Sequence, residues 1–117
     1  MPGPEADPEI PLLRSYALLG EEEKRHYLAY YRTVFRDGAL SLRTKELIAL
    51  AVALATGAPN CVEGHLRKVR SLGASEAEIR EAVAVSLGVA GASVVDRADL
   101  GNAAALRRRD EGAEGGR

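Results

Sequence analysis

Residues 47–55, Leu47-Ile48-Ala49-Leu50-Ala51-Val52-Ala53-Leu54-Ala55, and residues 57–65, Gly57-Ala58-Pro59-Asn60-Cys61-Val62-Glu63-Gly64-His65, decide how this chain reads. The first run holds no polar side chain and is rich in Leu and Ala, so it predicts a helix, Lys45 to Thr56, that is apolar on every side. Such a helix must be surrounded. Either it runs through the middle of the domain or it turns one side to another subunit, and a chain of 117 residues makes the second arrangement a serious one. Ser41 or Thr44 can cap its start. Gly57 ends it, and Pro59 stands at or near the first position of the next helix.

That next helix, Cys61 to Leu72, carries the chain's single cysteine and one of its two histidines. Cys61 falls in the first turn, where unsatisfied N–H groups and the positive dipole end favour a thiolate. His65 follows one turn later on the same line, with Val69 beyond it, whereas Glu63, Arg67 and Arg70 point elsewhere. A lone cysteine is more often a small buried hydrophobe than a nucleophile. Its position at a helix start beside an imidazole argues for thiol chemistry instead. Glu46 stands at the mouth of the apolar run, where a first-turn glutamate also suits the helix dipole.

Upstream, Ile10 to Leu19 has apolar residues at helical spacing and closes at Gly20. Glu21-Glu22-Glu23 opens an amphipathic helix with Tyr27, Leu28, Tyr31, Val34 and Phe35 on one stripe and Gly38 as its left-handed terminator. His26 lies beside that stripe among charges and reads as a solvated or edge histidine. Downstream, Gly73 ends the cysteine helix, and Ser75-Glu76-Ala77-Glu78 is a capping box opening a fifth helix with Ile79, Ala82, Val83, Ser86 and Leu87 inward. A break over Gly88 to Gly91 and a sixth helix from about Ala92 to Arg108 are expected. The domain therefore spans 9–106, between a disordered lead-in at 1–8 and a disordered tail at 107–117.

The composition excludes several classes of function. A net charge of -1 gives no basic surplus for nucleic acid or membrane surface, and no strand–Gly-loop–helix unit for nucleotides is present. One cysteine makes no internal disulfide, and the start lacks the basic patch and apolar stretch of a signal peptide. The apolar run is about half of what a bilayer crossing requires. A cytoplasmic, soluble protein is expected.

Together, Arg43-Thr44-Lys45-Glu46-Leu47-Ile48-Ala49-Leu50-Ala51-Val52-Ala53, the Cys61-xxx-His65 pair and Gly73-Ala74-Ser75-xx-Glu78-Ile79 resemble the carboxymuconolactone decarboxylase family, which includes alkylhydroperoxidase D. The resemblance covers roughly residues 20–106. It implies an all-α fold assembled into trimers or hexamers. For alkylhydroperoxidase D it also implies a Cys-x-x-Cys pair that reduces peroxides with the help of a Glu–His relay. By position Cys61 matches the second cysteine of that pair, His65 the relay histidine and Glu46 the relay carboxylate. Ala58 stands where the first cysteine would be, and Asn60 where a further histidine would precede the second. A sulfenic acid formed at Cys61 must therefore be resolved by an external thiol or another subunit.

The resemblance gives a one-cysteine, peroxiredoxin-like hydroperoxide reductase as the leading expectation, with Cys61, His65 and Glu46 as catalytic residues. The alternative is a decarboxylase using Glu46 and His65 as acid and base on a carboxylate substrate, for which Arg43, Arg67 and Arg70 are available cations. A third reading is a non-catalytic oligomeric binding protein. The sequence calls for neither cofactor nor metal: Cys61, His65 and Glu46 would make a three-ligand zinc site without a fourth ligand. One geometric strain accompanies the relay. If the two helices are strictly antiparallel, Glu46 lies about 15 Å from the turn between them and His65 about 7 Å, at 1.5 Å per residue.

Overall fold

The computed structural model describes residues 16–115, and among them every regular element is a helix. There are four: α1 (Glu21–Val34), α2 (Leu42–Thr56), α3 (Pro59–Ser71) and α4 (Glu76–Gly115). The expected all-α class holds, with four helices here instead of about six. The expected lead-in at 1–8 lies outside the described residues, as does most of the helix expected over Ile10 to Leu19, whose end forms a turn with Leu19 N–H donating to Tyr16 O.

The local punctuation follows backbone chemistry at three junctions. Ser41 caps α2 by accepting from Thr44 N–H, which starts the helix three residues before Lys45. Gly57 closes it in the left-handed region at φ 72°, where a Cβ is strained. Ser75 and Glu78 form the capping box, Glu78 N–H donating to Ser75 Oγ and Ser75 N–H to the Glu78 carboxylate.

Two expectations are corrected. Gly38 is not the left-handed terminator of α1. The helix ends at Val34 because the Lys45 ammonium, reaching back from α2, donates to Val34 O at 2.8 Å and Arg36 O at 2.7 Å. Cations satisfy helix C-terminal carbonyls in the same way as glycine motifs do. Nor is there a break over Gly88 to Gly91: α4 runs through both glycines and through the expected tail as far as Gly115. A Cβ built on either glycine would meet nothing within 4 Å. Two glycines weaken a helix by about 1 kcal/mol each, less than is needed to stop one with good formers on both sides.

Leu50, Val69, Ala74 and Ile79 form the core, with Leu47, Leu54, Val62 and Leu66 packed against it. It is where α2, α3 and the first turn of α4 meet. Beyond Ile79 the inward set is only partly inward: Ala82 and Ser86 are half-buried, but Val83 and Leu87 are exposed. The apolar helix α2 is surrounded on one side only, since Ile48 and Val52 on the other remain about half exposed. The radius of gyration is 21.2 Å, against about 13 Å for a compact chain of this length. No helix among the described residues is long and apolar enough to cross a membrane.

Candidate active site

Glu46 is 2 % exposed, the one charged residue in the described interior. Its Oε2 lies 2.5 Å from His65 Nδ1. An ionised carboxylate can only accept, so Nδ1 carries the proton of this bond and Nε2 is left for proton exchange. The direct contact closes the offset of about 8 Å that strict antiparallel packing would leave.

A second contact fixes the imidazole from its face. Phe35, the residue that follows the end of α1, stacks on His65 at a centroid distance of 5.9 Å and 16° between planes. Phe35 is itself stacked on Tyr31 at 4.3 Å. The placement traces to Lys45, next to Glu46 in sequence, whose ammonium pins the α1 terminus. Asp37 holds the following loop by accepting from Leu42 N–H at 2.7 Å. One turn of α2 thus controls both the edge and the face of the His65 ring.

Cys61 and His65 line one cavity of about 490 Å³ together with Glu46. Asn60, Gly64, Arg67, Lys68 and Ser71 continue the α3 wall, and Leu28, Tyr31, Phe35 and Leu42 form the facing one. The cavity size lies in the range of small-molecule sites. Because α3 begins at Pro59, Cys61 is its third residue, in the first turn as expected, and it is half-buried. The three residues singled out by the sequence are therefore brought to one cavity.

Other candidates fall away from it. His26 is exposed and sits 3.7 Å from Glu22, and Glu63 is exposed. Of the three arginines considered, Arg70 forks onto Glu76, Arg43 lies 3.5 Å from Glu78, and Arg67 alone lines the cavity. Hydrogen bonding to Arg70 holds the Glu76 carboxyl below its ordinary range, and bonds from Ser75 do the same for Glu78. Lys68 and Phe35 line the cavity without having been singled out as site residues in the sequence, Phe35 being read only as part of the α1 stripe. Lys68, three residues after His65, was legible from helical spacing; Phe35 was not, since its contact is tertiary. Among the described residues no group of three or more His, Cys, Asp or Glu side chains is arranged to hold a metal.

The carboxymuconolactone decarboxylase family model matches residues 21–99, from the start of α1 well into α4. The chain belongs to this family. An uncharacterized protein of the cox locus of Paracoccus denitrificans is 42% identical over 84 residues, covering 67% of this chain and 76% of the relative. Among solved structures, a family member from Thermotoga maritima with a suggested part in antioxidative response is 29% identical. It covers 80% of this chain and 98% of its own, at a TM-score of 0.59. A family protein from Legionella pneumophila, solved in its apo form, is 26% identical over 73% of each chain, at a TM-score of 0.58.

Proposed function

We propose that the protein is a thiol-dependent hydroperoxide reductase with Cys61 as its single redox residue. The observation that carries the reading is the buried Glu46–His65 bond opening onto the cavity that Cys61 lines. Glu46 orients the imidazole, and Nε2 takes the thiol proton. The thiolate attacks the terminal peroxide oxygen; the S–O bond forms as the O–O bond breaks, and the alcohol leaves with the proton returned by His65. Sulfur is oxidised to sulfenic acid and the peroxide is reduced. With Ala58 three residues before Cys61, no second cysteine closes a disulfide. An external thiol therefore forms a mixed disulfide and releases water, and a second thiol frees Cys61. The suggested antioxidative role of the Thermotoga relative supports this direction.

This chemistry needs a reducing compartment, and the reading assigns the protein to the cytoplasm. It also has the chain working as a homo-oligomer, a trimer or hexamer. The support is the long α4 with Leu87 and Leu100 exposed, the exposed Ile48 and Val52 of α2, and the extended radius of gyration.

A second reading rests on the same bond: a Glu–His pair needs no cysteine to act as acid and base on a carboxylate-bearing lactone. Turnover of a hydroperoxide with an added dithiol separates the two. Under the first reading Cys61→Ser abolishes it; if Cys61→Ser keeps full activity while His65→Ala loses it, the thiol reading is wrong.

A further inference from the structure

The two walls of the cavity differ in character. Leu28, Tyr31, Phe35 and Leu42 make an apolar, aromatic wall from α1 and the start of α2. On the α3 wall, Lys68 lies one turn beyond His65 on the helical line that starts at Cys61, with Arg67 beside it. Glu46 is the cavity's one carboxylate among the described lining residues, and His65 engages it. Lys68 brings a positive charge to the cavity face, whereas the carboxylate of Glu46 is buried and already engaged.

The neighbouring cations have other work. Arg70 is held by Glu76, Arg43 lies beside Glu78, and Lys45 is bound to the α1 carbonyls. Lys68 pairs with no carboxylate among the described residues. A lysine near the end of a helix suits the macrodipole. That accounts for its charge, but Arg70 satisfies the same dipole from outside the cavity, so it does not account for Lys68 standing on the cavity face.

We infer that the site takes an organic carboxylate with an apolar body, its headgroup at Lys68 and its body against Leu28, Tyr31 and Phe35. Under the thiol-peroxidase reading, on which only the reacting group rests, the substrate is a hydroperoxide carrying such a carboxylate. Its peroxide meets Cys61, the O–O bond breaks as described, and the leaving alcohol retains the carboxylate.

The test is calorimetric titration of the full chain with octanoate, which cannot react, and with octanol, its neutral counterpart. Octanoate is expected to bind the wild type more tightly than octanol, to weaken about 10-fold in Lys68→Met, and to recover in Lys68→Arg. Thermal melts of each variant check folding. In kinetics, the preference for linoleic acid hydroperoxide over cumene hydroperoxide should fall by a similar factor in Lys68→Met. Equal octanoate affinity in wild type and Lys68→Met, or no octanoate binding, overturns the inference even if cumene hydroperoxide is turned over. Lys68-dependent octanoate binding with no turnover of any hydroperoxide supports the carboxylate site and removes the peroxidase reading instead.

Discussion

Glu46 and His65 are nineteen residues apart in sequence and share a hydrogen bond of 2.5 Å between two packed helices, with both side chains nearly excluded from water. A buried carboxylate is tolerated when paired and is costly when stranded. The bond is therefore structural as well as chemical, and its two roles can be separated. His65→Ala strands Glu46 and should lower unfolding free energy by about 3 kcal/mol. The double variant Glu46→Leu/His65→Leu removes both groups and should restore much of that loss without restoring activity. Urea denaturation of the two variants checks the pattern.

The Phe35 stack depends on Lys45. Replacing Lys45 by Met removes two charge-assisted bonds to the α1 terminus, a loss of about 2 kcal/mol local to that helix. Hydrogen exchange should accelerate across α1 while the amides around Leu50 and Val69 keep their protection. Uniform acceleration through the chain would mean that α1 is not held separately.

The capping box gives a pH dependence with a definite sign. Bonds from Ser75 hold the Glu78 carboxyl below its ordinary value of 4.5, so its contribution to stability is fully present above that value and is lost as pH falls through the lowered folded value. Glu78→Ala should thus melt below wild type at neutral pH, and the two melting curves should converge under acid conditions. A difference that persists at low pH would assign the effect to something other than the carboxylate.

The sequence made the local grammar legible. Ser41, Gly57, Gly73 and the Ser75–Glu78 box each act through backbone groups within a few residues, and all do what their chemistry dictates. Glu46, Cys61 and His65 were legible through their spacing and the family it resembles. Phe35 on His65 was not, because the contact depends on how α1 docks, which one lysine from another helix determines. The break expected at Gly88 to Gly91 failed for a related reason: glycine's permissiveness does not interrupt a helix unless something competes for the backbone. The inward stripe expected from Ile79 to Leu87 holds only in part, because beyond its first turns most of α4 is exposed among the described residues.

That exposed helix leads to a prediction about mass. Leu87 and Leu100 are each 73% exposed in the single chain. Light scattering on the wild type should give a multiple of 12.4 kDa, and Leu87→Asp/Leu100→Asp should shift it toward the monomer mass. A wild type that is monomeric at every concentration would remove the oligomeric part of the reading.

The central claim is that the buried pair serves the thiol. Its most direct test is the rate at which Cys61 is consumed by a hydroperoxide, followed across about pH 6 to 9 with the sulfenic acid trapped by dimedone. One thiol lost per chain, with a rate that falls about 100-fold in His65→Ala, is the result predicted. A thiol that stays unreactive throughout that range, or that reacts equally fast without His65, would contradict it.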